Sequence, residues 1–240
     1  MKKNYFKKMK RIRSNLVESI SNHYKELGAI ECHVFGSIAK NKEDAFSDID
    51  IWVTFKDTYI ENAIDRRLES YTGFGKIVLL HEMQNNYPLN GIQSAVLYEI
   101  EGELVRVDYY LCPQSTSTIM PGSKVLFDIE GIKEGDIIPE TKRSPRDFSD
   151  SVTFLILTCF NSIKCIIRKT DRIDFILDEF RKKYEEKLDK NYNLPQENNF
   201  NTIDLMLRAL EENSDKEQID AIREIKLFAS KVTQTYLGKK

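Results

Sequence analysis

The sequence predicts an α/β (α+β) fold: a mixed β-sheet with flanking helices, followed by an antiparallel helical bundle. Three observations predict it. Short β-branched runs bounded by turn residues recur between residues 29 and 129, interleaved with helical patterns. From Phe148 onward only helical spacing remains. The 240 residues suffice for two small cores, divided here as 1–143 and 144–240.

The elements follow in order. Phe6, Met9, Ile12, Leu16, Ile20, Tyr24 and Leu27 keep three- and four-residue spacing, so residues 5–27 read as a helix closed by Gly28. Residues 29–35 form the first strand, 37–42 a short helix or turn, 48–55 the second strand and 60–71 a helix. Residues 76–81 form a third strand, and 85–91 a loop. Residues 92–100 and 104–111 pair as a hairpin across Glu101-Gly102. Residues 125–129 add a short strand. Ser144-Pro145-Arg146-Asp147 reads as a helix start, and the helix that follows is apolar nearly all round and therefore central. Helices over 172–190, from an Asn201 cap to 210, and from a Ser214/Glu217 capping box onward complete the bundle, with 191–199 as a loop.

Composition narrows the function. With 41% apolar and 31% charged residues the chain is not of a disordered class. No apolar run is long enough to span a membrane. Cys32, Cys112, Cys159 and Cys165 form no C-x-x-C pair and sit among apolar residues, which reads as buried thiols in a cytoplasmic protein. His81-Glu82 lacks the second histidine of a zinc-protease motif, because residue 85 is Asn. Charge is uneven: residues 1–13 carry seven Lys/Arg and no acid, whereas residues 14–140 carry an excess of 11 acidic charges. That acidic stretch disfavours a polynucleotide, which needs Lys/Arg against its phosphates, and favours a cationic substrate. The basic start is expected to be a solvated helix end.

The chemistry concentrates in FGSIAKNKEDAFSDIDIWV, residues 35–53. Asp48 and Asp50 are two apart, so on a strand they share a face. Two such carboxylates repel, and Mg²⁺ is the cation that suits them, because it takes carboxylate oxygens and keeps positions for water and phosphate. Gly36, directly after a strand, lets backbone approach a ligand closely, and Ser37 adds a hydroxyl at a helix start whose N–H groups suit phosphate. Asp108 lies inside the apolar strand Val105 to Leu111 and needs a partner, for which Arg106 or a backbone amide are alternatives to a metal.

The spacing Gly36-Ser37, ten residues, Asp48-Ile49-Asp50 resembles the signature of the nucleotidyltransferase superfamily that includes DNA polymerase β and the antibiotic nucleotidyltransferases. The stretches FGKIVLLHEM, LVRVDYYLCP, VLFDIEG and SPRDFSDSVTFLILTCFNSIKCIIRK extend the likeness over roughly residues 14–190. In their order they resemble the aminoglycoside 6-adenylyltransferase type, and less closely the lincosamide enzymes. The resemblance implies that Gly36 and Ser37 hold nucleotide phosphates, and that Asp48, Asp50 and Asp108 hold two Mg²⁺ ions. Lys40 stands where many relatives have arginine, a point charge instead of a fork. It also implies transfer of a nucleoside monophosphate, AMP from ATP first, to a hydroxyl of a small cationic acceptor, with the helical domain closing the substrate cleft. Asp108 would take the proton, with Glu82 and Glu103 as other candidate bases. Two other classes stand beside this reading. An antitoxin-like binding module for a helical toxin is disfavoured by the long helical half. A polymerase-like enzyme extending RNA is disfavoured by the acidic balance. A homo-oligomer is left open.

Overall fold

The hairpin is the plainest case of local sequence setting the fold. Glu101 and Gly102 both take the left-handed region, φ 54° and 73°, as a tight two-residue turn requires. They join β4 (Ile92–Ile100) to β5 (Glu103–Pro113) with Ile100 opposite Glu103. The computed structural model that shows this describes residues 2–83, 88–137, 151–187 and 199–238. The expected boundary between 143 and 144, the Ser144-Pro145 helix start and most of loop 191–199 lie outside those residues.

The chain forms two compact units, Lys3–Phe148 and Ser149–Lys240 with Met1–Lys2. In the first, α1 (Lys2–Glu26) leads through Gly28, φ 88°, into β1 (Glu31–Phe35). One helical turn, α2 (Gly36–Ala39), follows at once. Then come β2 (Ile49–Phe55), α3 (Ile60–Asp65), α4 (Arg67–Thr72), β3 (Lys76–Glu82), the β4–β5 hairpin and β6 (Lys124–Asp128). The mixed sheet has the order β3-β4-β5-β2-β1-β6. Its pairs are antiparallel except β2 with β5, which run parallel. The single helix expected over 60–71 is two, broken at Arg66: the Arg67 guanidinium takes the Ile64 carbonyl, 2.7 Å, and reaches across to Glu82.

Alternation divides the sheet. Ile51, Val53, Val107, Tyr109 and Leu111 are fully buried on one face. There Tyr24 of α1 meets Phe55 and Tyr109 edge-on, and Tyr71 of α4 stacks on Tyr109 at 4.5 Å. The Tyr98 hydroxyl ties this layer by donating to the Tyr71 carbonyl, 3.1 Å. The opposite face carries Glu31, His33, Asp50, Trp52, Asp108 and Tyr110 and holds the chemistry.

In the second unit α5 (Ser151–Arg168) packs against α6 (Arg172–Lys187), α7 (Phe200–Glu211) and α8 (Lys216–Leu237), so the all-round apolar helix is central as its pattern requires. Two caps differ from expectation. Asn199 caps α7 by accepting from the Thr202 amide, 3.0 Å, and Asp215 with Gln218 makes the α8 capping box. Both shifts are local: several Asn, Ser and Asp residues precede each helix, and the register of its buried face selects among them.

Among the described residues no helix is long and apolar enough to cross a membrane. All four cysteines are buried and reduced. Burial pushes the Cys112 thiol up to about 12 and raises those of Cys32 and Cys159. At pH 8 these three therefore stay protonated in the folded chain. We expect them to react with a thiol reagent at least about a hundredfold more slowly than a free cysteine, and to react fully in urea. Fast labelling of Cys32, Cys112 or Cys159 in the native protein would contradict this packing.

Candidate active site

β1 ends at Phe35, whose register partner is Asp50 on β2. Asp50 is in turn the register partner of Asp108 on β5. The parallel pairing therefore sets two of the three expected carboxylates side by side on one face, and Asp48 enters from the residues just before β2. Gly36 follows Phe35 with φ 71°, and a Cβ built there would fall on the Asp50 carboxylate. The glycine is thus required twice, by its backbone conformation and by the carboxylate occupying the space of its missing side chain. From sequence this close approach was expected toward a phosphate; in the fold it is made first by Asp50.

Asp108 is not open. Arg106, two residues earlier and on the same face, grips it with a fork: Nε to Oδ1 and an Nη to Oδ2, both 2.8 Å. Burial pulls the Arg106 guanidinium down, but Asp108, Asp48 and Asp50 together outweigh it and hold Arg106 above its ordinary range. So all three aspartates act on one cation. The ion pair is the alternative to a metal that the sequence left open for Asp108. Among the described residues no three His, Cys, Asp or Glu side chains are gathered as a metal-holding group. The donor set still suits a hard divalent cation: adjacent carboxylate oxygens carrying like charge. Asp48 and Asp50 are the candidates for that use, and Asp108 already carries the Arg106 fork.

The loop before Asp48 is held by its own hydrogen bonds and by α1. The Asp44 carboxylate accepts from the Phe46 amide, 2.8 Å, and from Ser47 Oγ, 3.1 Å. Arg13 donates to the carbonyls of Asp44, 2.6 Å, and Ala45, 3.3 Å. Burial pulls Arg13 down, against the pull of Glu43, Asp44 and Asp48. Arg13 was not a sequence candidate for the site, and Arg106 entered only as an alternative partner of Asp108. Arg106 had a signal, since i and i+2 on a strand share a face. Arg13 had none, because it sits on the buried stripe of an amphipathic helix where an apolar residue is expected.

Ser37 is half-buried in the one turn of α2, beside Gly36. Lys40 is exposed at the end of that turn, with its stem near Gly122. The other two candidate bases are removed from the site by alternation. Glu82 pairs with Ser94 and Glu103 with Ile100 in register, which sends both to the face opposite Asp108. There Glu82 is bound by Arg67 and Glu103 by Lys8. Beyond Asp50 and Asp108, Trp52 stacks on Tyr110 at 5.6 Å and His33 on Trp52 at 5.9 Å. Beneath them Glu31 accepts from His33, 2.7 Å, and from Thr54, 2.6 Å, while Trp52 donates to Ser117, 2.9 Å. This buried layer fixes the strands that carry the carboxylates.

Residues 13–112 match the family described as a nucleotidyltransferase domain. No curated protein sequence matches the chain. Among solved structures, one similar chain is a CdnE cyclic dinucleotide synthase of Elizabethkingia meningoseptica with GTP and Apcpp, at 13% identity and TM-score 0.30, covering 94% of this chain and 92% of that one. Another is the STING-associated CdnE c-di-GMP synthase of Capnocytophaga granulosa, at 13% identity and TM-score 0.31, covering 96% and 81%. Overlays this loose transfer no substrate or product.

Two outcomes check the site. Gly36→Ala meets both the positive φ and the Asp50 carboxylate, and we expect a loss of about 1–3 kcal/mol in urea unfolding. Arg106→Met leaves three carboxylates without their cation and should cost about 3–5 kcal/mol. Asp108→Asn in the Arg106→Met background should restore at least about 1 kcal/mol of it in a double-mutant cycle. Additive losses would show that the fork does not hold the cluster together.

Proposed function

We propose that this chain, through the nucleotidyltransferase domain of residues 13–112, transfers a nucleoside monophosphate, AMP from ATP first, to a hydroxyl of a small acceptor and releases pyrophosphate. The observation that carries the reading is the register pair Asp50–Asp108 with Asp48 two residues upstream, set against Gly36 at the strand end.

Asp48 and Asp50 are the residues that would hold Mg²⁺, which when bound neutralises triphosphate charge and orients the reacting oxygen. The remaining work falls to the chain itself. The backbone of the 36–39 turn and the Ser37 hydroxyl bind phosphate oxygens. Lys40 supplies a cation from the exposed end of that turn. Arg106 keeps the carboxylates together and, once turned from Asp108, frees that group to accept the acceptor hydroxyl's proton. Glu82 and Glu103 take no part, since each is paired on the opposite face.

For the acceptor we infer a hydroxyl-bearing cation, with an aminoglycoside first and a lincosamide second. The order of sequence stretches across residues 14–190 supports it. Charge supports it less than the local count implies. Lys8, Lys10 and Arg11 of the basic start pair with Glu103, Glu43 and Glu101. The seven basic residues of positions 1–13 reduce the acidic excess of the first 140 residues from 11 to 4.

Asp48→Asn and Asp50→Asn each remove one charge at nearly constant volume. We expect each to lower turnover at least about a hundredfold with the fold intact by circular dichroism. The acceptor is tested by pyrophosphate release from ATP and Mg²⁺ with aminoglycosides, lincosamides, neutral sugars and short RNAs in turn. Release with nucleoside triphosphates alone would make a second nucleotide the acceptor, and release only with RNA would make this a polymerase.

A further inference from the structure

Behind the 43–48 loop, on the helical side of the sheet, lies a cavity of about 370 Å³ between α1, β1, the α2 turn and β6. Its volume is in the range of small-molecule sites. Arg13 lines it and is only 2% exposed. Two of its nitrogens donate to the Asp44 and Ala45 carbonyls, and the buried Nε has no hydrogen-bond partner. Arg13 makes no ion pair with a described carboxylate. Glu43, which also lines the cavity, gives its carboxylate to Lys10 at 2.9 Å. A guanidinium held out of water with one donor idle is costly, Glu43, Asp44 and Asp48 offset its burial only in part, and an oxyanion in the adjoining space would supply both an acceptor and a charge.

The rest of the lining agrees. Lys124 of β6 is exposed at this cavity and adds a cation to it beside Arg13 and the Glu43-paired Lys10. Glu18 and Glu43 are the opposing charges: Glu18 faces water, where it is screened, and Glu43 is paired with Lys10. Val34 and Leu126 supply apolar wall. We propose that this cavity is a binding site for a small oxyanion, a carboxylate or phosphate carried on a compact apolar body, with Arg13 and Lys124 on its head and Val34 and Leu126 against its body. The site is separate from the carboxylate face, because Val34 alternates with His33 and Phe35 and points away from Asp50 and Asp108. It is linked to that face through Arg13, which also holds the loop delivering Asp48. An occupant would bear on the entry to β2.

The experiment uses the whole chain in EDTA, so that no metal at the aspartates recruits phosphate. Inorganic phosphate, benzoate and phenyl phosphate are titrated by calorimetry, and binding is mapped by hydrogen exchange. We expect saturable binding of phenyl phosphate, about tenfold tighter than inorganic phosphate because the ring adds apolar burial. Protection should appear in residues 10–22, 34–43 and 124–126. Lys124→Ala, at an exposed position, should weaken phenyl phosphate by roughly two- to fivefold without changing the unfolding midpoint. Arg13→Met should weaken it at least about tenfold if the variant folds. Absence of binding at about 10 mM, protection confined to residues 36–37, 48–50 and 106–108, or affinity unchanged in Lys124→Ala would each overturn the proposal.

Discussion

The repulsion among Asp48, Asp50 and Asp108 is the constraint on which the sheet unit depends. Unit charges a few ångström apart repel by about 4 kcal/mol even where the medium screens them as a protein surface does. The fold accepts that cost where the start of β2 meets the middle of β5, and the neighbouring features answer it. Arg106 forks onto Asp108 and feels all three carboxylates. Gly36 withholds a side chain so that the Asp50 carboxylate has space. The 44–47 turn, closed on the Asp44 side chain and tied to Arg13, fixes the angle at which Asp48 arrives. Each of these is a positional requirement, so the site is set by the backbone before any ligand enters.

Arg106 serves three carboxylates at once: it forks onto Asp108 and feels Asp48 and Asp50, offsetting one of their three charges. The same economy appears elsewhere in the unit. Lys8, Lys10 and Arg11, which read in isolation as a basic tail, neutralise Glu103, Glu43 and Glu101 of the acidic stretch. A charge count over a window of sequence therefore overstates the field a substrate would meet, because folding brings the compensating window back onto it.

The sequence by itself determined the order of strands and helices apart from the break at Arg66, the Glu101-Gly102 turn, the central helix of the second unit, and the placing of Gly36, Ser37, Asp50 and Asp108 on elements of the right kind, with Asp48 one residue short of its expected strand. These are local matters of period, turn conformation and spacing, each carried by residues near one another in the chain. The caps at Asn199 and Asp215 moved by one or two residues because several polar residues compete there, and packing of the buried helix face selects one. What only the tertiary structure decided depends on pairings distant in sequence. The parallel register of β2 with β5 sets Asp50 beside Asp108, and alternation within that register sends Glu82 and Glu103 to the other face. The approach of α1 to the 43–48 loop makes Arg13 a buried anchor and leaves its Nε idle. A carboxylate's role is set by the charge that meets it, and no spacing along the chain states which charge that is.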